Sequence, residues 1–87
     1  MFSHIMIGTN DLDRAKTFYD TTLAVLGVPP GVVDSGRRAF WRTPAGVFCV
    51  TQPIDGKAAT ISNGATIGFA CTSTDQVHAW HKAGLAS

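Results

Sequence analysis

Few side chains in this 87-residue chain can do chemistry: three histidines, two cysteines and six acidic residues, all six of them aspartate. His4 comes first, in the run "FSHIMIGTND", whose alternation sets Phe2, His4 and Met6 on one face and Ile5 and Ile7 on the other. An imidazole on an otherwise apolar strand face is either a metal ligand or an idle ring. His78 and His81 stand three positions apart, a spacing at which two helix side chains can share an ion, but a solvated helix flank is the preferred reading. Cys49 and Cys71 each lie inside an apolar run and belong to no CxxC motif, so they read as two buried, reduced thiols, with a disulfide between them as the lesser alternative. Arg37, Arg38 and Arg42 surround Phe40 and Trp41, where they either guide an anionic substrate or solvate a turn and an edge strand. Phe40 and Trp41 must point to opposite faces of one strand, so that one of them faces the core.

These groups need elements to position them. Residues 2–8 read as a strand, and Asn10 or Asp11 offers a helix N-cap. Leu12, Ala15, Phe18, Tyr19, Thr22, Leu23 and Leu26 then recur along one side of a helix of about four turns. Gly27 suits the position just past its end, and Pro29-Pro30 forbids continuation. "VVDSGRRAFWRT" reads as two short strands around a turn at Ser35-Gly36, and "TPAG" at 43–46 as a tight reverse turn. "VFCVTQP" is a further strand, which Pro53 ends. The order is strand, helix, strand, strand, strand.

After a stretch rich in small and polar residues, "IDGKAATISNG", the pattern begins again. "HIMIGTNDLDRAKTFYDTTL" falls on "TIGFACTSTDQVHAWHKAGL", so that His4 meets Thr66, Ile5 meets Ile67, Phe18 meets Trp80 and Leu23 meets Leu85. Ser73 replaces Asp11 as N-cap, and Gln76 three residues on completes a capping box. Trp80, as the counterpart of Phe18, is expected in the core. The expected organisation is a first βαβββ module over 1–52, a linker over 53–64 and a partial second module, strand then helix, over 65–87. The three closing strands of the second copy are missing, so a truncated module is expected.

Composition narrows the classes. The length allows one small domain of modest stability, to which assembly would add. With 45% hydrophobic and 15% charged residues the chain is globular, and a net charge of +1 leaves no footprint for nucleic acid or an anionic membrane. No apolar run approaches the ~20 residues that span a bilayer. No secretory signal precedes the first strand, so a cytoplasmic protein is expected.

A βαβββ unit repeated once, with His4 on its first strand and "DLDRAKTFYDTTLAVLG" after it, resembles the glyoxalase/bleomycin-resistance/extradiol-dioxygenase superfamily, the vicinal oxygen chelate proteins. "GKAATISNGATIGFACTS" looks like the inter-module linker and fifth strand of its small bacterial members. The resemblance implies an α+β fold whose modules curl into halves of a cup around a cleft, with Met6, Trp41 and Thr66 as the candidate cleft-lining residues. It also implies a divalent metal (Zn, Ni, Fe or Mn) chelating vicinal oxygens of a substrate and stabilising an enolate or oxyanion. By the same resemblance His4 matches the first-strand ligand, and Gln52 at the end of the fourth strand is a possible weak second. The repeat mate of His4 is Thr66, and the Glu usual on the last strand has no counterpart. One of four ligand positions is matched, short of the three donors a typical site uses.

Two functions of different class follow from this. One is a metal-dependent lyase, isomerase or dioxygenase-type enzyme acting on a small oxygen-rich compound, with further ligands supplied by another chain. The other is a metal-free protein of the bleomycin-resistance kind that holds a flat ligand in an aromatic-lined cleft, or an inactive truncated paralogue. The unpaired strand at 65–71 points to a homodimer or higher oligomer.

Overall fold

A computed structural model describes all residues from Met1 to Ser87. The elements in chain order are β1 (His4–Gly8), α1 (Leu12–Ala24), β2 (Val32–Asp34), β3 (Arg38–Thr43), β4 (Gly46–Thr51) and α2 (Thr74–Ala86). The fold is α+β, as expected, with one four-stranded mixed sheet in the order β1-β4-β3-β2. β1 runs parallel to β4, and the other two pairings are antiparallel hairpins.

Local chemistry sets the limits of α1. Asp11 is its N-cap, with Oδ1 accepting the Arg14 N–H at 3.0 Å. At the other end Gly27 takes φ +81°, a left-handed conformation that glycine adopts without cost. It donates to the Ala24 carbonyl at 3.0 Å while Val28 donates to the Leu23 carbonyl at 3.1 Å, the paired bonds of a Schellman closure. Asn10, the other candidate cap, serves elsewhere. Its amide accepts the Ala59 N–H at 2.7 Å and donates to the Ala59 carbonyl at 3.2 Å, tying the 53–64 stretch back beside the end of β1.

α1 covers one face of the sheet. Between them lie Leu12, Leu23, Ala39, Trp41, Phe48 and Val50, with Ile7, Ala15, Tyr19 and Leu26 around the margin. Tyr19, Trp41 and Phe48 meet in tilted and edge-on pairs with ring centroids 4.9–5.8 Å apart. Trp41 is 1% exposed and is the largest fully buried side chain.

The second copy is present as a helix. Its N-cap Ser73 and its span Thr74–Ala86 each follow Asp11 and Leu12–Ala24 by 62 positions. α2 packs on α1 and not on the sheet. Gln76 makes the join: its Nε2 donates to the Val25 carbonyl at 3.1 Å, while its Oε1 accepts the Thr72 N–H at 2.7 Å. The expected capping box is therefore shifted, because the glutamine oxygen reaches Thr72 rather than the backbone of Ser73.

Three expectations change in this half. Residues 65–71 belong to no strand, because a strand exists only by pairing and this run forms no ladder with any of the four strands. Trp80 is half-buried instead of core: α2 has no buried residue, and its indole meets Phe69 at a centroid distance of 6.4 Å. Cys71 is likewise half-buried whereas Cys49 is buried, and both thiols are free. No helix is long and apolar enough to cross a membrane.

Candidate functional site

The face of the sheet opposite α1 carries no helix, and its side chains follow from the register. Met6 pairs with Cys49, Cys49 with Phe40 and Phe40 with Val32. One residue from each of the four strands thus forms an apolar row straight across the sheet. A second row, His4–Val47–Arg42, runs beside it, and a third, Gly8–Thr51–Arg38–Asp34, lies on the other side.

The apolar row is open to solvent at both ends, with Met6 44% and Val32 66% exposed. Cys49 is buried in the middle. Its thiol is pushed up from the ordinary value by that burial, while the charges of Arg42 and Arg38 pull weakly the other way. Both arginines lean over Phe40, with guanidinium carbons 5.4 Å (Arg38) and 5.5 Å (Arg42) from the ring centroid. Arg38 is engaged: its Nε and Nη2 donate to Asp34 Oδ2 at 3.1 and 2.8 Å. That pairing, with the Ser35 hydroxyl bond, holds the Asp34 carboxyl below its usual range. Arg42 has no acidic partner; the two ion pairs of the chain are Lys16–Asp20 and Arg38–Asp34.

The candidate residues divide across the two faces. His4 and Met6 lie on the open face, and the His4 ring nitrogen Nδ1 is 2.8 Å from the Ser3 hydroxyl. Trp41 does not join them. It is the ring that faces the core, where its Nε1 donates to Asp20 Oδ1 at 3.0 Å, so the aromatic residue of the open face is Phe40. Thr66 is exposed on the 65–71 run, which is anchored on the helix-covered side by Phe69 against Phe48 (centroids 5.2 Å apart). His78 and His81 are exposed on α2.

Within one chain the implied metal ligands do not fit a single ion. His4 pairs with Val47, and Gln52 lies five residues further along the same strand direction, roughly 16 Å away at the usual rise. Nowhere do three His, Cys, Asp or Glu side chains gather into a group able to hold a metal ion. Sequence reasoning missed that Phe40 is the ring of the open face and that Asp20 is the partner of Trp41. The "RAFWR" alternation marks both aromatic rings without saying which face a helix will cover.

A βαβββ sheet with one face covered by a helix and the other left open defines the class of fold. Comparison with solved structures gives the class a family. A glyoxalase/bleomycin resistance protein from Albidiferax ferrireducens T118 superposes with a TM-score of 0.96 at 52% identity, over 99% of this chain and 70% of that one. The chain belongs to the glyoxalase/bleomycin-resistance family, within the vicinal oxygen chelate superfamily. The lactoylglutathione lyase from Agrobacterium tumefaciens shares the fold alone, with a TM-score of 0.62 at 20% identity over 99% of this chain and 69% of that one. No family model matches the sequence. No curated protein matches it either.

Proposed function

We propose that this chain is a small-molecule-binding protein of the bleomycin-resistance kind, which takes a flat ligand on the open sheet face without a metal of its own. The register row Met6–Cys49–Phe40–Val32 carries this reading: it is apolar, exposed at both ends and flanked by guanidinium groups. Such a surface buries a planar ring by apolar contact and by stacking. Support for a metal-free site comes from the donors themselves, since His4 and Gln52 lie at opposite ends of the sheet.

A second reading keeps one specific observation in its favour. His4 is exposed on the open face, where a donor set completed by a second copy would make a lyase-, isomerase- or dioxygenase-type centre. The unpaired 65–71 run supports a homodimer or higher oligomer, and two free thiols support a reducing, cytoplasmic setting. The division into a module at 1–52, a linker at 53–64 and a partial module at 65–87 remains part of this proposal.

Metal analysis and titration of untagged protein separate the two. The metal-free reading expects zinc, nickel, iron and manganese to bind no more tightly to wild type than to His4→Ala. A stoichiometric ion lost in His4→Ala would overturn it in favour of the enzyme.

A further inference from the structure

The charge of the ligand can be read from the side chains that surround the apolar row. This step rests on the reading that the open face is the ligand surface, and it adds the chemical class. Besides the buried Cys49 thiol, four ionisable side chains face that side of the sheet: His4, Arg42, Arg38 and Asp34. Asp34, the only carboxylate, has an oxygen already occupied by two donors of Arg38, and Arg38 has spent its fork on that pair. Neither is free to bind a ligand charge at full strength. Arg42 differs from both. It lies in the row next to Phe40, is exposed, and faces no acidic group. A guanidinium presents paired donors that match a carboxylate or similar oxyanion, and the match is stronger beside an apolar surface than in open water.

We infer that the ligand of this face is a planar organic anion, its ring laid along Met6–Cys49–Phe40–Val32 and its oxyanion set against Arg42 at the His4 end. A cationic ligand finds no free carboxylate here and meets two guanidinium groups at its centre. A neutral one leaves Arg42 without the partner its position offers. The geometry divides the labour: Phe40 supplies the stacking surface, and Arg42 supplies the preference for negative charge.

The test uses 2-naphthoate and its neutral isostere 2-naphthamide as probes, with affinity from calorimetry and location from backbone amide shifts. Wild type should bind naphthoate at least about tenfold more tightly than the amide, a difference of ~1.4 kcal/mol. Shifts should centre on Met6, Phe40 and Arg42. Arg42→Gln should equalise the two probes while keeping the amide affinity, and Arg14→Gln, which removes the same charge from exposed α1, should leave the preference intact. Equal binding of both probes on this face in wild type would overturn the anion inference and leave the open-face reading standing. A preference that survives Arg42→Gln would overturn the role given to Arg42. Shifts absent from this face with both probes would overturn the inference together with the reading beneath it.

Discussion

Asp20 and Trp41 fasten the first helix to the sheet: the indole Nε1 donates to Asp20 Oδ1 at 3.0 Å, inside a core otherwise without polar contacts of that kind. The same oxygen accepts the Gly31 N–H at 2.8 Å, so one carboxylate links α1, the loop after it and β3. Lys16 donates to the second oxygen at 2.6 Å. Gly31 has to be a glycine, because a Cβ there would sit 2.6 Å from the buried indole.

The first prediction concerns this carboxylate. Burial works to raise the Asp20 carboxyl, but the bonds from Lys16, Gly31 and Trp41, with the Lys16 charge, outweigh it and hold the group below its ordinary 3.8. A group depressed in the folded state stabilises fully above its unfolded value, and loses that contribution as pH falls through the lower native value. Asp20→Ala leaves the indole and Gly31 donors without an acceptor and should cost about 2–3 kcal/mol at neutral pH. Asp20→Asn keeps an acceptor and loses only a half-exposed ion pair, so about 1 kcal/mol is expected. Urea unfolding at neutral pH and again near pH ~2 checks the sign: the gap between wild type and Asp20→Asn should close at the acid end. A gap that is constant with pH would contradict the assignment.

A second prediction concerns the contact between the helices. Gln76 caps α2 with its oxygen and reaches the Val25 carbonyl with its nitrogen. Gln76→Glu retains the acceptor and removes the donor, so it isolates the inter-helix bond. It should lower stability by about 1 kcal/mol and speed amide exchange along α2. Gln76→Ala removes both and should exchange faster still. Exchange in Gln76→Glu as slow as in wild type would show that the cap, and not the bridge to α1, holds this helix.

How far the sequence could be read is clearest from the residues on either side of these bonds. The helix cap at Asp11, the stop at Gly27, the turn at Ser35-Gly36 and the 62-residue offset of the two helices were all legible, because each rests on chemistry within a few positions. The faces of Phe40 and Trp41 were not. Alternation separates two faces but carries no sign, and only the position of α1 decides which is covered. Nothing local marks Asp20, since its partners lie 11 and 21 residues away. The 65–71 run has the composition of a strand, and its pairing depends on an edge that its own residues cannot specify.

The third prediction uses Cys49 as a reporter of the open face. The thiol lies under the row at 1% exposure, between Met6 and Phe40 in register, and burial keeps it protonated. It should react with iodoacetamide far more slowly than the half-buried Cys71. Phe40→Ala removes the ring and leaves Arg42 and Arg38 nearby, so Cys49 labelling should rise by about tenfold or more. Peptide mapping by mass spectrometry separates the two cysteines. Unchanged labelling of Cys49 in that variant would mean the ring does not cover it.

The last prediction concerns assembly. From Thr66 to Ala70 no backbone N–H donates to another backbone group, yet Phe69 packs on Phe48 and Trp80 and holds the run in place. Exposed apolar side chains accompany those free donors: Ile67 is 37% exposed, Val77 50% and Leu85 77%. A fixed, extended segment with free backbone groups is a template for another strand, and pairing two copies satisfies both edges at once. A homodimer or higher oligomer should therefore form at micromolar concentration, with an apolar interface above about 1,000 Å². Light scattering gives the mass, and hydrogen exchange gives the place: the amides of residues 66–70 should exchange quickly in dilute protein and become protected as concentration rises. Ile67→Lys should hold the protein monomeric while the α1 and β4 amides stay protected. A well-folded monomer at high concentration, with rapid exchange over 66–70 throughout, would show that this edge is not an interface.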